Sequence, residues 1–279
     1  MSSTKSTTTD RWLPHAAGFR EHIGSPLRPH ENDLHIFSGV INRWQQTAAS
    51  PNALILGVTP ELYSLPWPEQ TQVYAIDQSA AMIRDVWPGP VNNATHANWL
   101  EMPFAAHSMD FVICDGGLHL LGYPEQQSKL AAIISHILAP GGLCCFRLFV
   151  PPAKSEAPSA VLADLHAGRI ENMNCLKLKL GMAIQSDAIT GVRLGDIWNM
   201  LQTNVTDPAN IIDQPGWTAA NYNTVAAYKD SDTRYHFADM SQVISMFESV
   251  SHGRLRLESI VTPEYTMGDQ CPIVTFRAR

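Results

Sequence analysis

The apolar positions of this chain fall into short runs separated by stretches of helical spacing. Leu34, Phe37, Ile41 and Trp44 recur at three- and four-residue intervals and predict a helix from about Glu31 to Gln46, with Gly39 inside it. Ala53 to Gly57 and Gln72 to Asp77 are short apolar runs that predict the first two strands. A helix opens near Ser79, a plausible cap, and Pro88 and Gly89 end it. A third strand is expected near Asn93 to Ala97. Met109 to Cys114, largely apolar as a strand covered on both faces is, makes the fourth. A helix over Pro124 to Leu138 stops at Pro140-Gly141-Gly142, and Leu143 to Val150 comes next as the fifth strand.

Alternation of this kind predicts an α/β fold, a parallel sheet with helices on both faces. After Val150 the rhythm breaks. Residues 151 to about 252 are mainly helical in pattern, with Asn172 to Ile184 and Met240 to Val250 the clearest stretches. The block is too long for a plain crossover and reads as an inserted cap. Leu255 to Val261 and Ile273 to Arg277 close the chain as strands. The expected division is therefore an N-terminal extension and helix (1–50), a core (51–150), a helical cap (151–252) and terminal strands that complete the core sheet (253–279).

A length of 279 residues suits one large domain, or one domain with a cap, and 45% hydrophobic content can fill its core. The net charge of −7 and the lack of any basic cluster argue against a nucleic-acid partner. The opening MSSTKSTTTD is polar and reads as a frayed tail, not a signal peptide. Pro14, Gly24, Pro26 and Pro29 break up the segment between this tail and the first helix. No run of eighteen apolar residues predicts a membrane span. Cys114, Cys144, Cys145, Cys175 and Cys271 are scattered and odd in number, which predicts reduced thiols in a cytoplasmic protein. Without CxxC or HxxxH spacing, no structural metal is expected.

Candidate chemistry begins where the first two strands end. Gly57 closes one and Asp77 the other, twenty residues later. That layout suits a nucleotide: a glycine lets backbone approach the ligand, and a carboxylate one strand on grips a ribose. The glycine pattern is degenerate, since Thr59 and Glu61 stand where further glycines are expected. Arg147 lies inside the apolar run CCFRLFV, on one face with Cys145 and Phe149. A buried guanidinium without partners is very costly, so it either pairs with an acid or reaches the ligand cleft. His119 and Tyr123 come after the fourth strand at the mouth of the expected cleft, to touch substrate, with His119 as a base, or simply to pack. Trp198, Trp217, Tyr222, Tyr228 and Tyr235 either line a pocket or form the cap's own core.

Several stretches then resemble one family. They are Asn98-Trp99 with the adjoining Leu100 to Phe104, His107 to Phe111, Cys114-Asp115-Gly116-Gly117-Leu118, Leu138 to Gly142, and Cys145 to Phe149. In this order and spacing, over about residues 50 to 150, they resemble class I S-adenosylmethionine-dependent methyltransferases. GVTPEL, the PLRP segment at Pro26 to Pro29 and the RLF of strand five are similar to a bacterial subgroup of that superfamily.

The resemblance implies a Rossmann-like sheet of order 3-2-1-4-5-7-6 with strand 7 antiparallel, and a cofactor, S-adenosyl-L-methionine, across the carboxyl ends of strands one to four. Gly57 and the backbone of Val58 and Thr59 would pass under the methionine part, and Asp77 would hold the ribose. Gln78 and Met82 would border the adenine, with Asn98 and Trp99 at its edge. Asp115 and Gly116 would face the methionine amino group or the substrate. The first motif departs from the family: Ile55 stands where an acid is usual and Thr59 where a second glycine is. Other groups must then hold the amino-acid end. Asp115 is the candidate for its ammonium, and Arg28 for its carboxylate if the N-terminal extension folds over the site.

The implied activity is in-line methyl transfer to a small-molecule acceptor chosen by the cap. An amine or thiolate acceptor needs no base, whereas a phenol or alcohol would want His119 or a carboxylate. A nicotinamide-dependent oxidoreductase shares the glycine-to-acid spacing, but GxGxxG is missing and a wholly parallel sheet would be its mark. A non-catalytic cofactor-binding scaffold is the alternative from another class. Aminopropyl transfer wants a set of carboxylates around an amine, and Asp115 alone offers itself.

Overall fold

The computed structural model describes residues 23–44 and 50–279. The polar opening, Pro14 and the expected last turn of the first helix at Gln45 and Gln46 lie outside the described residues. The strands are β1 (Asn52–Leu56), β2 (Gln72–Asp77), β3 (Ala94–His96), β4 (Met109–Asp115), β5 (Leu138–Arg147), β6 (Val192–Arg193), β7 (Arg234–Tyr235), β8 (Leu255–Val261) and β9 (Ile273–Ala278). β6 and β7 pair with each other as a separate ribbon. The others form one sheet in the order β3-β2-β1-β4-β5-β9-β8. β1 to β5 are parallel; β9 runs antiparallel to both β5 and β8. With the ribbon set aside, this is the expected order with its reversed strand.

Period-two alternation divides each strand between two cores. Leu54, Leu56, Val112, Cys114, Cys144 and Phe146 face the layer of α4 (Glu125–Ile137) and α10 (Met240–Val250), meeting Leu130, Ile134 and Phe247. Ala53, Ile55, Phe111, Ile113, Leu143 and Cys145 face α1 (Glu31–Arg43), α2 (Pro60–Tyr63) and α3 (Ala80–Asp85) through Phe37, Ile41, Leu62 and Met82. Between β5 and β8 the chain adds α5 (Pro158–His166), α6 (Met173–Ile184), α7 (Leu194–Asn204), α8 (Ala209–Ile212) and α9 (Ala219–Asn223). These helices enclose a third core around Leu165, Leu176, Leu180, Ile197 and Leu201. Trp217, Tyr222 and Tyr228 are buried in it, and Trp198 and Tyr235 pack against it, so the cap spends these aromatics chiefly on itself.

β5 differs from its expected span. It begins at Leu138, which pairs with Met109 ahead of an irregularity that contains Gly141 at φ +82°. It ends at Arg147 because the Leu148 and Val150 N–H groups turn to the carbonyls of Pro272 and Gln270. The segment before α1 bridges core and cap. Asn172 and Asn174 in the cap donate to the Ser25 and Gly24 carbonyls, each at 3.2 Å.

Candidate active site

The carboxyl ends of β1, β2 and β4 meet in register, with Leu56 beside Ile76 and Cys114. Gly57 leaves β1 at φ +90°, in the left-handed region that glycine occupies at little cost, and its N–H donates to the Ile76 carbonyl at 2.8 Å. Asp77 ends β2 beside it. Asp77 Oδ1 accepts from the Ser79 N–H at 2.7 Å, while Oδ2 would lie 3.8 Å from a Cβ placed on Gly57. Asp77 thus both starts α3 and faces the Gly57 turn.

Trp99 completes this edge. Beyond β3, Asn98 caps a short 3₁₀ turn by accepting from the Leu100 N–H at 2.9 Å. The turn sends the Trp99 indole back across the sheet, where its Nε1–H donates to the Ile76 carbonyl at 2.9 Å. The ring rests on two glycines. A Cβ on Gly57 would meet Trp99 Cζ2 at 3.4 Å, and one on Gly117 would meet Cη2 at 2.5 Å. Phe149 covers Gly116 in the same way, at 2.8 Å.

The end of β4 carries a buried charge cluster. Arg147, on the neighbouring strand, donates from Nε to Asp115 Oδ1 and from Nη2 to Oδ2, the latter at 3.1 Å. Its Nη1 lies 3.5 Å from Asp33 Oδ2 and donates to the Tyr265 hydroxyl at 3.2 Å, and that hydroxyl donates to Asp33. Burial pushes the Asp33 and Asp115 carboxyls above the usual carboxylate range, against the pull of Arg147. Burial disfavours the Arg147 charge, but the two acids more than offset it and hold the guanidinium protonated.

Other candidates fall elsewhere. Arg28 forms an ion pair with Glu61 in α2. Val58 and Met82 are buried, and Gln78 is exposed with its carbonyl 3.0 Å from His96 Nε2. Thr59 precedes α2 as its N-cap residue, without a side-chain cap bond. His119 is buried in an aromatic cage: Tyr235 at 4.5 Å, Phe149 at 5.0 Å and Phe237 stacked at 5.3 Å between ring centroids. Tyr123 does not join it. It lines a groove between α4 and α10, with Ser128, Ser241 and Met246. Arg147, expected either to pair with an acid or to reach the cleft, is fully buried and pairs with Asp115 and Asp33. Asp33, Glu61 and Tyr265 were not anticipated, because no local pattern signals partners so far apart in the chain.

Residues 54–146 match the family model described as a methyltransferase domain. That match spans a third of the chain and is to methyltransferase domains. S-adenosylmethionine is the cofactor such domains use. No curated protein matched the sequence. Among solved structures, a candidate zinc-dependent alcohol dehydrogenase from Rhodobacter sphaeroides is similar at TM-score 0.59 and 15% identity, covering 96% of each chain. A chain from the complex of the Haloferax volcanii Trm112 methyltransferase activator with a candidate methyltransferase is similar at TM-score 0.52 and 10% identity, again covering 96% of each. At such identities these likenesses speak to the fold alone.

The Gly57 turn, at φ +90° beneath the Trp99 ring, has Asp77 beside it, an arrangement compatible with the nucleoside end of that cofactor. Both Asp115 oxygens accept from Arg147, and the side chain is buried.

Proposed function

We propose that this protein transfers a methyl group from S-adenosylmethionine to a small-molecule acceptor. The observation that carries the reading is the turn at Gly57 set against Asp77 on a sheet whose last strand is reversed. The reversed strand also speaks against the nicotinamide-dependent alternative, which called for a wholly parallel sheet. Bound, the cofactor supplies an electrophilic methyl on a sulfonium; the protein's task is alignment and exclusion of water.

In this reading Asp77 accepts from the ribose hydroxyls, and Gly57, Val58 and Thr59 offer their backbone beneath the cofactor. Gln78, Met82, Asn98 and Trp99 border the adenine, Met82 from the core below and Trp99 with its indole. Gly116, with Phe149 packed over it, stands near the methyl. Arg147 and Asp115 act as positioning residues: they pin α1 and the loop before β9 to the strand ends. His119 serves as base where the acceptor is a hydroxyl.

The acceptor's room lies at the seam between the end of β5 and the cap. A cavity of ≈ 410 Å³ there is lined by Pro152, Glu156, Lys179, Asp187 and Phe237, and Phe237 also stacks on His119. Its size is that of a small-molecule site. Tyr123 lies outside this room and has no part in the reaction as proposed. A cytoplasmic setting fits the five free, buried cysteines.

Methyl-labelled S-adenosylmethionine incubated with the protein and a panel of amines, thiols and phenols tests the reading. Label should pass to a small molecule, with S-adenosylhomocysteine as co-product. Tight cofactor binding with no transfer to any acceptor class would favour the non-catalytic scaffold.

A further inference from the structure

We propose that Glu61 and Arg28 together clamp the amino-acid end of the cofactor, Glu61 taking the ammonium and Arg28 the carboxylate. The inference rests on the reading of the site as an S-adenosylmethionine site and says how that site replaces its missing acid. The position two residues before the first glycine is Ile55, an apolar side chain buried against α1 and α2. Asp115 is committed to Arg147. Glu61 lies in the first turn of α2, just beyond the Gly57 turn. Its Oε1 pairs with Arg28, whereas its Oε2 is buried without a hydrogen-bond partner. A buried carboxylate oxygen left without a donor is costly, and a cationic donor is the ligand group that removes the cost.

An amino acid is a zwitterion, and the Arg28–Glu61 pair is its complement. The guanidinium fork matches a carboxylate and the carboxylate matches an ammonium. Glu61 lies close enough to Asp115 for its charge to be one of the smaller influences raising that carboxyl, behind burial and the charges of Arg147 and Asp33. The competing account is that the pair merely straps the N-terminal segment to α2.

Calorimetric titration of the full chain separates the two accounts. The probes are S-adenosylhomocysteine, 5′-methylthioadenosine, which lacks the amino-acid end, and S-adenosylmethionine with its decarboxylated form. Glu61→Gln should weaken S-adenosylhomocysteine on the order of ten- to a hundredfold and leave methylthioadenosine unchanged. Arg28→Gln should remove the preference for S-adenosylmethionine over its decarboxylated form. The swapped double variant, Arg28→Glu with Glu61→Arg, should recover thermal stability but not S-adenosylhomocysteine affinity. Equal loss of both nucleosides in Glu61→Gln, or wild-type affinity in the swapped variant, would overturn the clamp. Failure of the wild-type protein to bind any of these probes would instead overturn the reading of the site on which the clamp rests.

Discussion

Replacing Arg147 with methionine removes the cation that two buried carboxylates share. The guanidinium is fully buried, bonded twice to Asp115, once to Tyr265 and 3.5 Å from Asp33. Methionine keeps a long flexible stem, so the loss is chiefly electrostatic. Deleting one partner of a buried ion pair costs about 3–5 kcal/mol, because the remaining charge is stranded. At roughly 2–4 °C per kcal/mol, the Tm should fall by about 6–20 °C. The pH dependence has a definite sign. Burial already raises the Asp33 and Asp115 carboxyls above 3.8, and without Arg147 they rise further. A carboxyl with a raised folded-state pKa contributes stability that is present below 3.8 and lost as pH climbs through the folded value. The deficit of Arg147→Met should therefore widen as the pH rises above the 3.8 of an unperturbed carboxyl. Urea denaturation across that range measures it, with the triple variant that adds Asp33→Asn and Asp115→Asn as the control that regains most of the loss. A single variant as stable as wild type, or a deficit flat with pH, would refute the reasoning.

Asp77→Ala should weaken S-adenosylhomocysteine binding by more than tenfold, given about 1.5–3 kcal/mol per charged hydrogen bond; an unchanged titration removes Asp77 from the site. Gly117→Ala would bring a Cβ within 2.5 Å of Trp99 Cη2 and 2.8 Å of Cys114 Sγ. It should cost about 1–3 kcal/mol by overpacking and shift tryptophan emission as the indole moves, and an unaltered spectrum contradicts the placement. Lys177, buried in the cap beside Thr224 and Tyr228, is lowered by burial from 10.5 to about 8. Its folded value lies below its unfolded one, so stability should rise with pH from about 8 to 10.5. Lys177→Met should raise the Tm near neutral pH, by about 1–3 kcal/mol of stability, and flatten that rise; a lower Tm would show the amine to be well paired.

The centre of the sheet was legible because β1 and β4 are apolar runs of the right length. The reversed last strand followed only from the family resemblance that the motifs at Asn98, Asp115 and Pro140 carry. β5 was misplaced by several residues because Leu138 pairs across an irregularity that Pro140-Gly141-Gly142 made look like a plain turn. Local spacing brought Gly57 and Asp77 together, but it carries no trace of a partner on a distant element. Asp33 and Tyr265 meet Arg147 from opposite ends of the chain, and nothing in their local sequence sets them apart from any other acid or tyrosine. Arg147 itself signalled only that it must pair with an acid or reach the cleft, not which acids would meet it. His119 shows the opposite limit: its place after β4 was evident, whereas its cage of Phe149, Tyr235 and Phe237 depends on how the cap docks.

Calorimetric titration of the purified protein with S-adenosylmethionine, S-adenosylhomocysteine and NAD tests the central claim most directly. The account predicts saturable binding of both sulfur nucleosides, and none of NAD. Binding of NAD in their place would contradict it.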